Sequence, residues 1–181
     1  MKNFKLLFII VACANIFAAC KKNKNNTEPA DQLPPATQTG ANTFGCLVNG
    51  VTFINKGNDG NYSNYRLFVD PTFQNGAFQI RVYKLLNSKY ERININSNDI
   101  HSTGTFNVTG NNGTLFIDYS NDNGTCNFNQ SANCYLKGSL NITRYDISNG
   151  IFSGTFQFNI KDPNFNCDTI RITEGRFDKK L

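Results

Sequence analysis

The sequence predicts an all-β protein, an antiparallel meander forming a two-sheet sandwich or a partly open barrel, preceded by a disordered linker. Three observations carry this. Apolar residues alternate with polar ones at period two from Phe44 onward, Asn-Gly and Asp-Gly pairs punctuate the alternation, and no segment sustains a 3.6-residue apolar period. Successive side chains of a strand point to opposite faces, so such alternation gives one wet and one dry face, the pattern of antiparallel sheets.

Taken in order, the first run opens at Phe44 and is closed by Asn49-Gly50. Phe78, Ile80 and Val82 mark an inward phase, followed by Ile93 and Ile95, and then by Leu115, Ile117 and Tyr119. Leu136, Gly138, Leu140 and Ile142 face away from Lys137, Ser139, Asn141 and Thr143. The clearest run sets Phe152, Gly154, Phe156, Phe158 and Ile160 against Ser153, Thr155, Gln157, Asn159 and Lys161, and Ile170 with Ile172 begins the last strand. Turn formers divide these runs at Asn49-Gly50, Asp59-Gly60, Asn75-Gly76, Asn112-Gly113, Asn123-Gly124 and Asn149-Gly150. Asn and Gly tolerate the positive φ of tight hairpins. Tyr83 to Arg92 has room for a short helix, and a hairpin tip fits it as well. Strand openings at Gly104, Gly113, Gly138 and Gly154 follow no fixed period, which excludes a solenoid or propeller.

Ahead of the domain, Lys2 and Lys5 precede an apolar run from Leu6 to Ala19, interrupted only by Asn15. This is the layout of a signal peptide, and at about 1.5 Å per residue the run is too short to span a ~30 Å hydrocarbon core. Residues 1–19 are read as the leader, 20–40 as a lipidated N-terminus and flexible linker, and 41–181 as the β domain. Lys21 to Gly40 holds Pro29, Pro34 and Pro35 among Asn, Thr, Gln and Ala, with Leu33 its only large apolar residue. With 18 basic and 13 acidic side chains the net charge is +5, and losing Lys2 and Lys5 with the leader lowers it to +3, no field for nucleic acid.

Phe17-Ala18-Ala19-Cys20 resembles the lipobox of bacterial lipoproteins, with Phe17 in place of the usual Leu. That resemblance implies a diacylglyceryl group on the Cys20 thiol, cleavage before Cys20 and acylation, commonly palmitate, of the new amino group. Cys13, after Ile10-Val11-Ala12, offers a rival box that leaves too little apolar leader. Several acyl chains anchor a protein stably where one does not. Lys21 is not the Asp that retains such proteins in the inner membrane, so the resemblance implies the outer membrane. The basic Lys21-Lys22-Asn23-Lys24 replaces the acidic export signal of surface lipoproteins and favours the periplasmic face.

Cys46, Cys126, Cys134 and Cys167 remain, an even number in an oxidising compartment. Of the three possible pairings, Cys126 with Cys134 and Cys46 with Cys167 are preferred, the second joining the first strand to the last. The four lack paired C-x₂-C knuckles and a nearby histidine, so neither metal nor cofactor is expected.

No catalytic constellation emerges. His101, the only histidine, lies in a polar turn. Asp118, Asp122, Asp146, Glu174 and Asp178 sit at turns or strand ends, where a glycosidase pair cannot be read from spacing. Asn55, Gly57, Asp59 and Gly60 faintly echo a calcium loop, but Arg66 stands where its closing Glu belongs. Asp168-Thr169-Ile170 resembles a short O-glycosylation acceptor. Most of the sixteen Phe fall in inward phases and read as core rather than as a ligand surface.

Asn42-Thr43-Phe44-Gly45-Cys46-Leu47-Val48-Asn49-Gly50, together with Gly154-Thr155-Phe156-Gln157-Phe158 and Ile172-Thr173-Glu174-Gly175-Arg176-Phe177-Asp178, resembles an uncharacterised family of Bacteroidota outer-membrane lipoproteins over residues 42–181. The resemblance implies no activity. The expected function is a lipid-anchored, non-catalytic binding or structural domain, its partner the membrane and an unknown protein. A lipocalin-like carrier of a small apolar ligand is the second expectation and a glycan-active hydrolase the third.

Overall fold

The structure, a computed structural model, describes residues 32–109, 114–122, 127–128, 135–161 and 168–181, and the regular structure among them is all β. The strands are β1 (Thr43–Val48), β2 (Val51–Ile54), β3 (Tyr65–Asp70), β4 (Ala77–Leu86), β5 (Lys89–Ser97), β6 (Gly104–Thr109), β7 (Leu115–Asn121), β8 (Asn127–Phe128), β9 (Tyr135–Asp146), β10 (Ile151–Lys161) and β11 (Ile170–Lys180). They form two antiparallel sheets, ordered β2-β1-β11-β10-β9-β6 and β3-β4-β5-β7-β8. Neither closes into a barrel, so the sandwich is the architecture.

The strand order is not a simple meander. β1 lies beside β11, β6 beside β9 and β5 beside β7, so the chain crosses between sheets after β2, β5, β6 and β8. Alternation tells a residue which face it occupies, not which strand lies next to it.

The inward phases form one core. Ile93, Ile95, Phe158 and Ile160, from the middle of both sheets, are at most 1% exposed, so packed side chains fill the space between them. Rings meet across the sandwich, Phe44 with Tyr65 at 5.7 Å and Phe78 with Phe177 at 6.0 Å between centroids. On β11 the register slips near Glu174, where φ is +51°. The inward phase passes from Ile170 and Ile172 to Gly175 and Phe177, which turns Glu174, Arg176 and Asp178 outward. A side chain at Gly175 would enter the ring of Phe156, its partner on β10.

Asn49 (φ +50°) and Gly50 (φ +80°) make the two-residue turn between β1 and β2. Asn87 (φ +51°) and Ser88 (φ +60°) make the same kind of turn between β4 and β5, so Tyr83 to Arg92 is a hairpin tip. Residues 112–113 and 123–124 lie outside the described residues.

The end of the expected flexible linker is instead a packed strap. Pro34 and Leu33 lie against Gly45, whose missing side chain makes the space. Pro34 O accepts a hydrogen bond from Arg176 Nη1 (3.3 Å), and Gln38 O accepts one from Arg144 Nη1 (2.6 Å). Asp178, 1% exposed, accepts from Thr37 Oγ1 (2.6 Å), Thr39 N (2.9 Å), Gly40 N (2.8 Å), Ala41 N (3.0 Å) and, from β10, Ser153 Oγ (2.7 Å). The polar composition that suggests a linker supplies the donors this carboxylate needs once it is removed from water.

Candidate functional site

An open concavity of about 580 Å³ lies on the outer face of the second sheet. Its floor is built by register. Arg66 on β3 is directly opposite Arg81 on β4, Arg81 is opposite Asn94 on β5, and Asp118 on β7 ends the row. In the adjoining row Tyr83 faces Arg92. All point outward because their flanking residues, Tyr65, Leu67, Ile80, Val82, Ile93 and Ile95, are the buried phase.

One wall is the crossover loop 55–64, clasped onto the tip of the sheet. Leu85 N–H donates to Lys56 O (2.8 Å) and Tyr83 N–H to Asn64 O (2.9 Å). Gly57 (φ +82°) passes so close to the Leu85 carbonyl that no side chain fits there. Asp59 accepts from Asn61 N (2.9 Å), Tyr62 N (3.0 Å) and Tyr90 Oη (3.0 Å), while Tyr83 Oη donates to Tyr62 O (2.8 Å). The backbone N–H of Tyr62 and then that of Asn61 hold the Asp59 carboxyl below its ordinary value, and burial followed by the bond to Asp59 raises the Tyr90 phenol. The loop that faintly echoes a calcium site is thus an Asp-centred turn pinned by two tyrosines.

Guanidiniums and rings interleave here. Arg92 lies 4.1 Å over the Tyr90 ring and pairs with Asp122 at 3.3 Å; Arg66 lies 5.7 Å from the Tyr62 centroid. Beyond them Phe68, Phe73 and Phe116 are 56%, 53% and 41% exposed, departing from the core role expected of most phenylalanines. The face offers cationic forks, phenol edges and an amide beside the carboxylates of Asp59 and Asp118.

The residues singled out in the sequence are dispersed. Cys20, Cys126, Cys134 and Cys167 lie outside the described residues. Cys46 is wholly buried and carries a free thiol among the described residues, and the partner expected for it, Cys167, lies outside them. Leu47 pairs with Thr173 and Val48 with Ile172, which places Cys46 beside the middle of β11. Burial, above all, and then the charge of Glu91 push its thiol far up, so it is inert.

His101 is exposed, with Nδ1 3.0 Å from Asn75 O. Asp146 pairs with Arg144 at 2.7 Å and caps the Asn149 turn; the Arg144 bond and then those from Asn149 bring its carboxyl to about 2. Glu174 pairs with Arg176 at 3.3 Å. Asp178 faces the strap rather than Arg176. Asp168 is exposed and Thr169 half-buried, directly ahead of β11.

The arginines of the groove escape the sequence reading. Their signal is an arginine in the polar phase of three apolar runs, Tyr65-Arg66-Leu67, Ile80-Arg81-Val82 and Glu91-Arg92-Ile93. It becomes a site only once β3, β4 and β5 are known to be neighbours.

No family model matches the chain, and no curated protein or solved structure matches it.

Proposed function

We propose that the chain is a lipid-anchored lipoprotein of the cell envelope, held in the outer membrane through Cys20 on its periplasmic face, with a β domain that binds rather than catalyses. The observation that carries the binding half is the pairing of a filled sandwich interior with an open, cationic outer face on the second sheet. A carrier needs an unfilled lumen, whereas the inward side chains of the described strands pack together between the sheets, which supports the binding reading over the carrier. A hydrolase needs two carboxylates free to exchange protons. Asp122, Asp146 and Glu174 are each engaged by an arginine, and Asp178 by hydroxyl and backbone donors. The anchoring half is supported by the leader and by Ala18-Ala19-Cys20.

Membrane fractionation of a Cys20→Ala variant tests the anchor. The variant is expected to stay unprocessed or to become soluble, while the native chain remains with membranes through a high-salt wash. Partition of the processed variant with membranes after that wash would overturn lipidation at Cys20.

A further inference from the structure

Arg66 and Arg81 are direct cross-strand partners. Both are exposed, and neither makes a hydrogen bond or ion pair with another described residue; the Arg66 guanidinium lies 5.7 Å from the centroid of the Tyr62 ring. Like charges set opposite one another on a sheet repel and cost stability, so packing does not explain them. Their neighbour Arg92 is already committed to Asp122 and Tyr90. The carboxylates nearest in the groove are also occupied, Asp59 by the donors of its own turn and by Tyr90, and Asp118 by a partner of its own.

We infer that the groove binds an oxyanion, a carboxylate, sulfate or phosphate group carried on a small soluble ligand, received by the paired guanidiniums of Arg66 and Arg81. The inference rests on the reading of this face as the binding surface and names its ligand chemistry. Two planar forks side by side accept the lone pairs of such a group bidentately, which a lysine pair does not do. Asn94, opposite Arg81, adds an amide donor and acceptor for the body of the ligand. A groove of about 580 Å³ admits a molecule of sugar-acid size. The wall formed by the clasped loop makes it concave, which suits a small solute better than a flat bilayer. The chain also enters the domain on the opposite side, with Leu33 and Pro34 against Gly45 on the first sheet.

The thermal midpoint of the full chain in neutral detergent tests this, titrated with inorganic sulfate and with galacturonate against glucose and chloride at equal ionic strength. A bound ligand raises the midpoint saturably. Both anions are expected to do so and glucose is not. The Arg66→Gln/Arg81→Gln variant should lose the response, an affinity loss of about tenfold or more, while its unliganded midpoint rises as the repulsion is removed. A control with the same charge change, Lys161→Gln/Arg171→Gln on the other sheet, should respond as the native chain does. Equal responses in the two double variants, or no response to either anion, would overturn the inference. So would binding confined to vesicles of phosphatidylcholine with phosphatidylglycerol, read as the difference between native and Arg66→Gln/Arg81→Gln chains both carrying Cys20→Ala, since that marks a membrane face. Fractionation of Cys20→Ala reads the anchor alone, so the two readings fail independently.

Discussion

Asp178 is an acid in the outer, normally wet phase of β11, yet it is 1% exposed because the strap covers it. Burial alone raises its carboxyl. The hydrogen bonds from Thr37, Ala41 N–H, Ser153 and Gly40 N–H outweigh that and hold it well below 3.8. A depressed folded-state pKa contributes stability that is fully present above the unfolded value, near 3.8, and is lost as pH falls from there through the lower folded value. Native Asp178 should therefore show a destabilisation on acidification below about pH 4 that Asp178→Asn lacks, measured by urea unfolding at stepped pH. At neutral pH the same variant leaves buried donors facing an amide that is a poorer acceptor, and should lose about 2–4 kcal/mol. Unchanged stability at pH 7 would show that the strap is not fastened there.

At the scale of strands, the period-two pattern made inward and outward residues legible, and β10 follows its predicted phase from Phe152 to Ile160. The strands that escaped are those whose cues are short or mixed. β2 is only four residues, and β3 places exposed Phe68 in its polar phase. The sequence reading already set the first strand beside the last, but other neighbour relations were not legible, because β6 beside β9 and β5 beside β7 depend on crossovers with no local signature. For the same reason nothing in the sequence joins Arg66, Arg81 and Arg92 into one site. The strap was missed because its donors find their acceptor 137 or more positions away. Gly175 tests the packing of β11 on β10. Gly175→Ala inserts a methyl where the Phe156 ring lies, and overpacking of this kind costs about 1–3 kcal/mol. Thermal unfolding of Gly175→Ala should show that loss, and a native midpoint would mean the ring stands clear.

For the molecule as a whole, the decisive property is that the sheets close on one another. Phe44, Phe53, Phe78, Phe152 and Phe158 are all at most 2% exposed, so these five rings are spent between the sheets. A long-chain fatty acid should accordingly show no saturable binding in a fluorescence displacement titration; stoichiometric uptake would demand an internal cavity and restore the carrier reading. Of the four outermost strands, β2 spans four residues and β8 two described ones, while β3 and β6 each present six residues of edge backbone.

The strap also sets how a tugging force would be shared. Tension arriving through residue 32 is met by the row of donors on Asp178 before it reaches the barbed junction of β1 with β11, so the domain is leashed from its flank and not from a fraying end. Were acid to unfasten that clasp, Thr39 to Ala41 would run free and lengthen the leash by about 10 Å, while Pro34 and Gln38 stay on Arg176 and Arg144. On the proposed anchoring at Cys20, this carboxylate is one of the fasteners that set how far the molecule can roam.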